Sequence, residues 1–290
     1  MSELDYLSPA TVEEAVAALA AGGARARALS GGTDLLVQLR SGRIKPGVIV
    51  DLKRIPAAIG VREEAGGFVI GASTPGAQIG EHAALARAWP GVVEAANLIG
   101  STQVQGRASL AGNLCNASPA ADSVPAMIAA AATCVVVGPS GRREIPVEQV
   151  AIGPGRTSLA PGEFVLEIRL PPKSARSADA YLRSIPRTEM DIAVVGAGVC
   201  LTLDASGAIA AARVALGAVA PTALMVPEAG AAIVGTRLDQ AALDALDAAA
   251  RAAARPISDK RGTVDYRIKI AGVLARRAAA IAFQRAKERA

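Results

Sequence analysis

Aromatic residues and histidine are scarce in this sequence. Only 2% of the residues are Phe, Trp or Tyr, and His82 is the one histidine. Because 51% of the chain is nevertheless apolar, the core must be built from Ala, Val, Leu and Ile. A single imidazole offers little for catalytic triads or histidine metal sites. It lies in the helical stretch 81-EHAALARAW-89, where we expect a surface or hydrogen-bonded helix position rather than a catalytic one.

Cysteines are few and unpaired. Cys115, Cys134 and Cys200 are far apart and include no C-x-x-C pair. This pattern argues against a disulfide framework and a zinc site, and it does not supply the ligands of an iron–sulfur cluster, so we expect no metal on this chain. The start MSELDYLSPATVEEA is acidic where an export signal would be basic. Both features predict a cytoplasmic protein.

Long apolar runs and nucleotide-binding signatures are also missing. The most apolar stretch, 124-VPAMIAAAATCVVVG-138, is shorter than the roughly 20 residues of a membrane helix and predicts a buried helix leading into a strand. The net charge of +5 is scattered along the chain, which argues against a nucleic-acid surface. No G-x-G-x-x-G in a βαβ unit and no G-x-x-x-x-G-K-[ST] loop occurs, which disfavours Rossmann and P-loop domains.

The patterns that are present predict an α+β protein. Thr11 and Glu14 form a capping-box pattern ahead of a helix that should end at Gly22-Gly23. A further helical stretch covers about 81 to 99. Short strands are predicted at 26-ARALS-30, 48-VIVDL-52, 68-FVIGA-72 and 163-EFVLEIRLPP-172.

The polar, loop-like segment 173-KSARSADA-180 predicts a domain boundary near residue 175. We therefore expect a first domain at 1–175 and a second domain at 176–290. The second domain should contain an antiparallel hairpin, formed by 191–204 and 208–219. Two helices should follow it, one at about 239–254 and an amphipathic one at 263–290.

Two segments of small residues are candidates for holding a phosphate. In 29-LSGGTDLL-36 a glycine pair lets backbone amides approach an anion, and the threonine adds a hydroxyl donor. The second segment is 109-SLAGNLCNASPAAD-122. Taken alone, a structural turn explains the first equally well, and a capped loop explains the second better. Together they would supply donors from two sides of one dinucleotide diphosphate.

A series of motifs in a fixed order carries a family resemblance. The motifs are 5-DYLSPATVEEAVAALAAGG-23, 29-LSGGTDLL-36, 48-VIVDL-52, 70-IGASTP-75, 109-SLAGNLCNASPAAD-122, 186-PRTEMDIAVVGAGV-199 and 258-SDKRGTVDYR-267. This set spans nearly the whole chain and resembles the FAD-binding medium subunits of the molybdenum hydroxylases, which include aerobic carbon monoxide dehydrogenases and bacterial xanthine dehydrogenases.

The resemblance implies a vanillyl-alcohol-oxidase-type (PCMH-like) FAD-binding domain of two α+β subdomains, at about 1–57 and 58–175. A C-terminal α+β domain with an antiparallel sheet and helices should follow it. The residues that it places at the FAD diphosphate are Ser30, Gly31, Gly32, Thr33 and Asp34, with Ser109, Leu110, Ala111, Gly112 and Asn113. It also places Asp122 and Arg183 close to the cofactor, Arg183 near the flavin ring, and it assigns no catalytic residue to this chain.

The sequence departs from the family pattern in the second segment. Ala111 stands where the family usually has a glycine, and Gln105-Gly106 stands where many members read Arg-Asn. Because alanine does not easily adopt a positive φ, we expect this segment to offer slightly different amides. Arg183 replaces a common lysine, which keeps the charge but changes the donor geometry.

In such a family the chain would be an electron relay within a heterotrimer that is often doubled. A large molybdopterin-binding subunit would oxidise the substrate, and a small subunit with [2Fe–2S] clusters would pass electrons to FAD on this chain. A quinone, NAD and oxygen are all candidate acceptors. Two alternatives stay open: a stand-alone flavin reductase of the same superfamily, and a non-catalytic assembly subunit that has lost FAD.

Overall fold

The structure is a computed structural model that describes residues 4–289 of the 290. Its strands form sheets of three, five and four strands and a separate two-stranded pair. The first two sheets end before Pro171, and the four-stranded sheet begins at Ser177. The architecture is mixed α and β, with an antiparallel sheet and helices in the C-terminal part, as the sequence predicts.

A small parallel sheet opens the chain. Its strands, in the spatial order β1-β3-β2, are β1 (Asp5–Leu7), β2 (Ala26–Leu29) and β3 (Val48–Asp51), and its helices are α1 (Val12–Gly22) and α2 (Leu35–Arg40). The predicted capping box is confirmed, since Thr11 Oγ1 accepts from Glu14 N at 3.2 Å and Glu14 Oε2 accepts from Thr11 N at 3.4 Å. As predicted, α1 ends at the glycine pair, where Gly23 has a φ of +52° that suits glycine.

A five-stranded antiparallel sheet forms the middle layer, in the order β4-β5-β10-β6-β7. Its strands and the short pair β8 and β9 are β4 (Val61–Glu64), β5 (Gly67–Gly71), β6 (Thr133–Gly138), β7 (Gly141–Pro146), β8 (Ala151–Gly153), β9 (Arg156–Thr157) and β10 (Phe164–Leu170). Val135 and Val137 pack towards α1, whereas Cys134 and Val136 pack towards the helices that follow β5. Because successive side chains of a strand point to opposite faces, the sheet is buried on both sides.

Six short helices connect β5 to β6. They are α3 (Gly76–Glu81), α4 (Ala83–Ala88), α5 (Pro90–Ala96), α6 (Thr102–Gln105), α7 (Leu110–Cys115) and α8 (Ser123–Ala129). The stretch predicted as one helix at 81–99 is thus divided, because Pro90 begins a new helix. His82 caps α4 by accepting from Leu85 N at 3.1 Å, which confirms its expected hydrogen-bonded position. Trp89, between α4 and α5, is buried with the Lys173 ammonium 3.4 Å from its ring centroid.

The C-terminal part is an antiparallel meander, β11-β12-β13-β14, packed on helices. Its elements are β11 (Ser177–Ser184), β12 (Val195–Leu203), β13 (Ile209–Gly217), β14 (Leu224–Met225), α9 (Pro227–Ala231), α10 (Gln240–Ala253) and α11 (Val264–Glu288). The predicted hairpin is confirmed as β12 and β13, and its turn is held by the Asp204 carboxylate, which accepts from Ser206 N at 2.8 Å. Both predicted helices are also confirmed, as α10 and α11.

The expectation that 173–180 is a loop is wrong for its second half. Strand β11 begins at Ser177, and Ala178 and Ala180 are buried in the C-terminal core. The polar residue that made the segment look loop-like, Asp179, is buried in an ion pair with Lys173 at 3.0 Å. The polarity of a short segment does not show which distant residue will form an ion pair with a buried carboxylate, so the strand was not predicted.

The two parts of the chain meet through close backbone contacts. Helix α5 packs on β11, and α8 packs on β12 and β13. At α11, the Arg285 guanidinium donates to Glu94 of α5 and, at 2.9 Å, to the carbonyl of Asp179. These two hydrogen bonds join α11 directly to α5 and to β11.

Gly198 tests how tightly this junction is packed. A Cβ at position 198 would lie 2.5 Å from the carbonyl oxygen of Pro125 in α8. We expect Gly198→Ala to lower the free energy of unfolding by about 1–3 kcal/mol, since sheet and helix must separate. The midpoint of urea unfolding measures the change. Gly106→Ala is the control, because its Cβ meets only Gln103 O at 3.4 Å, and an equal loss in both variants would contradict the prediction.

Candidate FAD-binding cleft

A large cleft opens between the first parallel sheet and the five-stranded sheet. Its volume is about 1020 Å³, which places it at the upper end of small-molecule sites. Three stretches of the chain supply its walls, within residues 19–52, 108–119 and 154–165. Two of them contain the segments of small residues that the sequence singles out.

The two glycines of the first segment have different tasks. Gly32 has a φ of +78°, and a Cβ there would meet the side chains of Leu29 and Leu36 at 3.0 and 3.1 Å. A Cβ on Gly31 would lie only 1.8 Å from the carbonyl oxygen of Arg107. Gly31 is therefore required for the close approach of the first segment to the chain just before the second. This contact between two backbones was not predicted from the glycine pair.

The second segment begins with a helix, and only its second half, residues 116–122, is a loop. Ser109 is the N-cap of α7, and its Oγ accepts from Gly112 N at 3.1 Å. Ala111 lies in the first turn of α7, where its backbone needs no positive φ. The positive φ on which the expectation of different amides rests is therefore not needed here, because helical φ suits alanine well. The expectation itself stays a prediction. The departure from the family pattern gives no structural reason for a loss of FAD.

The predicted diphosphate residues come together, but they do not all face the cleft. The Oγ atoms of Ser30 and Ser109 are 2.8 Å apart, and Ser30 Oγ also donates to Ala72 O at 3.0 Å. The side chain of Leu110 is buried in the core, and Asn113 Oδ1 accepts from Ser123 Oγ at 2.7 Å. Nine of the ten predicted diphosphate residues line the cleft, all except Leu110: Ser30, Gly31, Gly32, Thr33, Asp34, Ser109, Ala111, Gly112 and Asn113.

The cleft carries little net charge of its own. Arg27 and Arg43 line it together with Asp34 and Glu163. Burial raises the pKa of Asp34, and its side chain makes no capping hydrogen bond to α2 within the described chain. Binding of an anion would therefore depend on backbone amides at the starts of α2 and α7 rather than on a cluster of cations.

Asp122 and Arg183 form a buried pair behind the cleft. Arg183 Nη1 donates to Asp122 Oδ2 at 2.8 Å, and Tyr181 Oη donates to Asp122 Oδ1 at 3.5 Å. Burial raises the pKa of Asp122 to about 6, although Arg183 and Tyr181 oppose the shift. Among residues 4–289, neither member of the pair lines the cleft, although Ser118 and Pro119, a few residues before Asp122 in the chain, do. The expected position of both near the flavin stays a prediction.

Sequence reasoning missed the third wall and one support of the first segment. Pro154, Gly155 and Pro161 line the cleft from the connections around β9, where the sequence signals only turns. Lys53 Nζ donates to the carbonyl oxygen of Ser30 at 3.0 Å. Lys53 follows the motif 48-VIVDL-52 directly, but nothing in its spacing indicates a contact with the glycine segment.

The fold holds a cleft large enough for a dinucleotide, and an antiparallel sheet with helices follows in the C-terminal part. Residues 2–173 match the family described as the FAD binding domain in molybdopterin dehydrogenase, and residues 180–282 match the CO dehydrogenase flavoprotein C-terminal domain. The chain therefore belongs to the FAD-binding medium subunits of the molybdenum hydroxylases, as its motifs predict. It is an FAD-dependent oxidoreductase subunit.

Individual relatives cover nearly the same length. The chain is 37% identical over 284 residues to the carbon monoxide dehydrogenase medium chain of Afipia carboxidovorans, with 98% of each chain covered. It is 29% identical over 267 residues to a putative xanthine dehydrogenase FAD-binding subunit of Escherichia coli (strain K12), with 91% of each covered. A crystal structure of a Cu,Mo-CO dehydrogenase superposes with a TM-score of 0.93 at 35% identity, covering 98% of both chains.

A more distant structure shares the same fold. Quinoline 2-oxidoreductase from Pseudomonas putida 86 superposes with a TM-score of 0.89 at 26% identity, covering 98% of both chains. The relatives thus include enzymes named for different substrates. Within the described part of the chain, no helix has the length and apolar character needed to cross a membrane.

Proposed function

We propose that this chain is the electron relay of a molybdenum hydroxylase complex. It takes electrons from a small [2Fe–2S] subunit and passes them to an external acceptor, while a large molybdopterin-binding subunit oxidises the substrate. The cleft in which the turn after β2 meets the start of α7, through Ser30 and Ser109, carries the proposal. Relatives named as medium chains support the assignment to a complex. When bound, FAD supplies the electron-transfer chemistry, and the protein supplies position and electrostatics.

In this proposal the backbones of residues 30–34 and 109–113 hold the FAD diphosphate. The volume of the cleft and the chemistry of these donors fit the group, because amides at helix starts favour anions without adding positive charge. Ser118 and Pro119 line the cleft and come only a few residues before Asp122 in the chain, and this nearness in sequence supports a place for the Asp122–Arg183 pair beside the flavin. We keep the domain boundary near residue 175, which the gap between the two family matches supports.

The acceptor and the compartment belong to the same proposal. A quinone, NAD and oxygen are the candidate acceptors, and the complex is placed in the cytoplasm, which the free thiols of Cys115, Cys134 and Cys200 support. The relatives carry names of carbon monoxide, xanthine, nicotinate and glyceraldehyde dehydrogenases. The substrate is therefore a property of the large subunit that accompanies this chain.

Flavin content and reoxidation test the proposal together. We expect the complex purified with its partner subunits to release about one non-covalent FAD per copy of this chain on acid treatment. Rapid mixing of the reduced complex with a quinone, NAD or oxygen should reoxidise the flavin with one of them within a turnover time. A colourless chain that refuses added FAD, even within the complex, would contradict the proposal. So would a bound flavin that is not reduced when the partner subunits are.

A further inference from the structure

A chain of hydrogen bonds runs from the surface to the glycine segment of the cleft. Tyr6 Oη donates to Asp51 Oδ2 at 2.5 Å, and Lys53 Nζ donates to Asp51 Oδ1 at 2.7 Å. The same ammonium group donates to Ser30 O at 3.0 Å. Asp51 is 5% exposed, and the side chain of Lys53 is 29% exposed, so the inner two groups are largely shielded from water.

The contact with Ser30 fixes the orientation of one peptide group. The Ser30–Gly31 peptide is trans, and in a trans peptide the C=O and N–H point in opposite directions. Since the carbonyl oxygen of Ser30 is held by Lys53, the N–H of Gly31 is directed away from Lys53. Gly31 lines the cleft, and within residues 4–289 its N–H has no protein acceptor. A single ammonium group thus determines where one free donor points.

Asp51 holds the ammonium group of Lys53 in place. Burial disfavours the ionised carboxyl, but hydrogen bonds from Lys53 and Tyr6 outweigh it and lower the pKa of Asp51. The Asp51 carboxylate also accepts from Lys53 N at 3.0 Å, which shapes the turn at Leu52–Arg54. Because Asp51 has this second structural task, Lys53 and Tyr6 are the cleaner positions for a test.

We propose that Lys53 is a positioning residue for cofactor binding, which holds the Ser30–Gly31 peptide so that the Gly31 N–H faces the FAD diphosphate. Tyr6 and Asp51 hold Lys53 in turn. The inference rests on the proposed placement of the diphosphate at residues 30–34. Lys53 acts through the peptide and not as a direct cation for the phosphate, since its ammonium group is already shared between Asp51 and Ser30.

The test compares FAD affinity among variants of the full chain after removal of the flavin. Lys53→Met should weaken FAD binding by about ten- to hundredfold, the value of one oriented donor to a charged acceptor. Lys53→Arg should restore most of the affinity, because a guanidinium also donates to a carbonyl oxygen. Tyr6→Phe, which removes one hydroxyl from a half-exposed side chain, should weaken binding by a smaller factor. Lys45→Met removes the same charge from an exposed lysine and should leave the affinity unchanged.

Salt separates orientation from simple charge. If Lys53 only attracted the diphosphate, the loss in Lys53→Met would shrink strongly between low and high ionic strength. We expect the FAD dissociation constant of Lys53→Met, divided by that of the unmodified chain, to change by no more than about twofold over that range. Screening by salt does not restore the orientation of a misdirected peptide. The ³¹P resonances of bound FAD should also shift in Lys53→Met. An unchanged affinity, or a loss abolished by salt, would overturn the proposal.

The failure of this inference is distinguishable from that of the proposed function. If Gly31→Ala abolishes FAD binding while Lys53→Met has no effect, only the positioning role of Lys53 is wrong. If both variants bind FAD normally, the diphosphate does not lie at this segment, and the proposed site is wrong as well. Lys53→Met also leaves the buried Asp51 carboxylate without its counter-ion, so its urea midpoint should fall. Affinities are therefore compared under conditions in which the urea curves show every variant to be folded, which excludes a loss of affinity through unfolding.

Discussion

Gly31→Ala is expected to cost the chain its FAD. A Cβ at this position would lie 1.8 Å from the carbonyl oxygen of Arg107. Because this oxygen belongs to the backbone, no side-chain rotation can relieve the clash. The two segments must therefore separate, and the contact between Ser30 and Ser109 Oγ atoms would be lost with them. We expect FAD affinity to fall by at least about a hundredfold, since donors on both sides of the diphosphate are displaced at once.

Two further glycines give this prediction its controls. Gly32→Ala places a Cβ 3.0–3.2 Å from the side chains of Leu29 and Leu36 at a φ of +78°, so it should weaken FAD binding less than Gly31→Ala does. Gly106 directly precedes Arg107 and has a helical φ of −62°, so the Gly106→Ala chain should bind FAD normally. Fluorescence titration with FAD and acid-released flavin per chain measure all three. A Gly31→Ala chain that retains FAD would disprove the required approach of the two segments.

Arg183→Met is expected to destabilise the chain strongly at alkaline pH. The substitution leaves the Asp122 carboxylate buried without its counter-ion, and breaking a buried pair in this way costs about 3–5 kcal/mol. The loss should be smaller at pH 5, because the pKa of Asp122 would rise further above its value of about 6 and the buried carboxyl would be neutral there. Urea midpoints at pH 5 and pH 8 measure the difference.

In the unmodified chain too, the ionisation of Asp122 makes the free energy of unfolding depend on pH, and the two pKa values give the direction. An unfolded Asp titrates near pH 3.9, whereas the folded Asp122 titrates at about 6. Between these values the folded state holds a proton that the unfolded state has released, so this group's contribution to stability falls as pH rises. Asp122→Asn should remove that part of the pH dependence. In Asp122→Asn/Arg183→Met the extra loss at pH 8 should disappear. An Arg183→Met chain equally unstable at both pH values would exclude Asp122 as the cause.

Local patterns predicted the elements that depend on neighbouring residues. The capping box at Thr11, the β12–β13 hairpin and the two long C-terminal helices follow from residues within a few positions of one another. The start of β11 was missed because Asp179 is neutralised by Lys173 across a turn. A pattern of polar residues carries no information about which partner the fold brings to them.

The candidate site was predicted in its parts but not in its assembly. The sequence indicated both segments of small residues, yet the helical start at Ser109 and the contact between Gly31 and Arg107 depend on how distant segments pack. Nothing in the sequence indicated that Lys53 contacts the first segment, because a lysine after a strand is common in any sequence. Resemblance to a family supplied the cofactor, which neither glycine spacing nor composition specifies.

Trp89 gives the molecule a built-in optical reporter. It is the single tryptophan of the chain, it is 3% exposed, and it lies under Lys173 where α5 meets β11. Ultraviolet emission from the indole therefore originates at one known place, the junction of the two domains. A red shift of that emission would report that water has entered the junction. The scarcity of aromatic residues thus makes movement between the domains visible without any label.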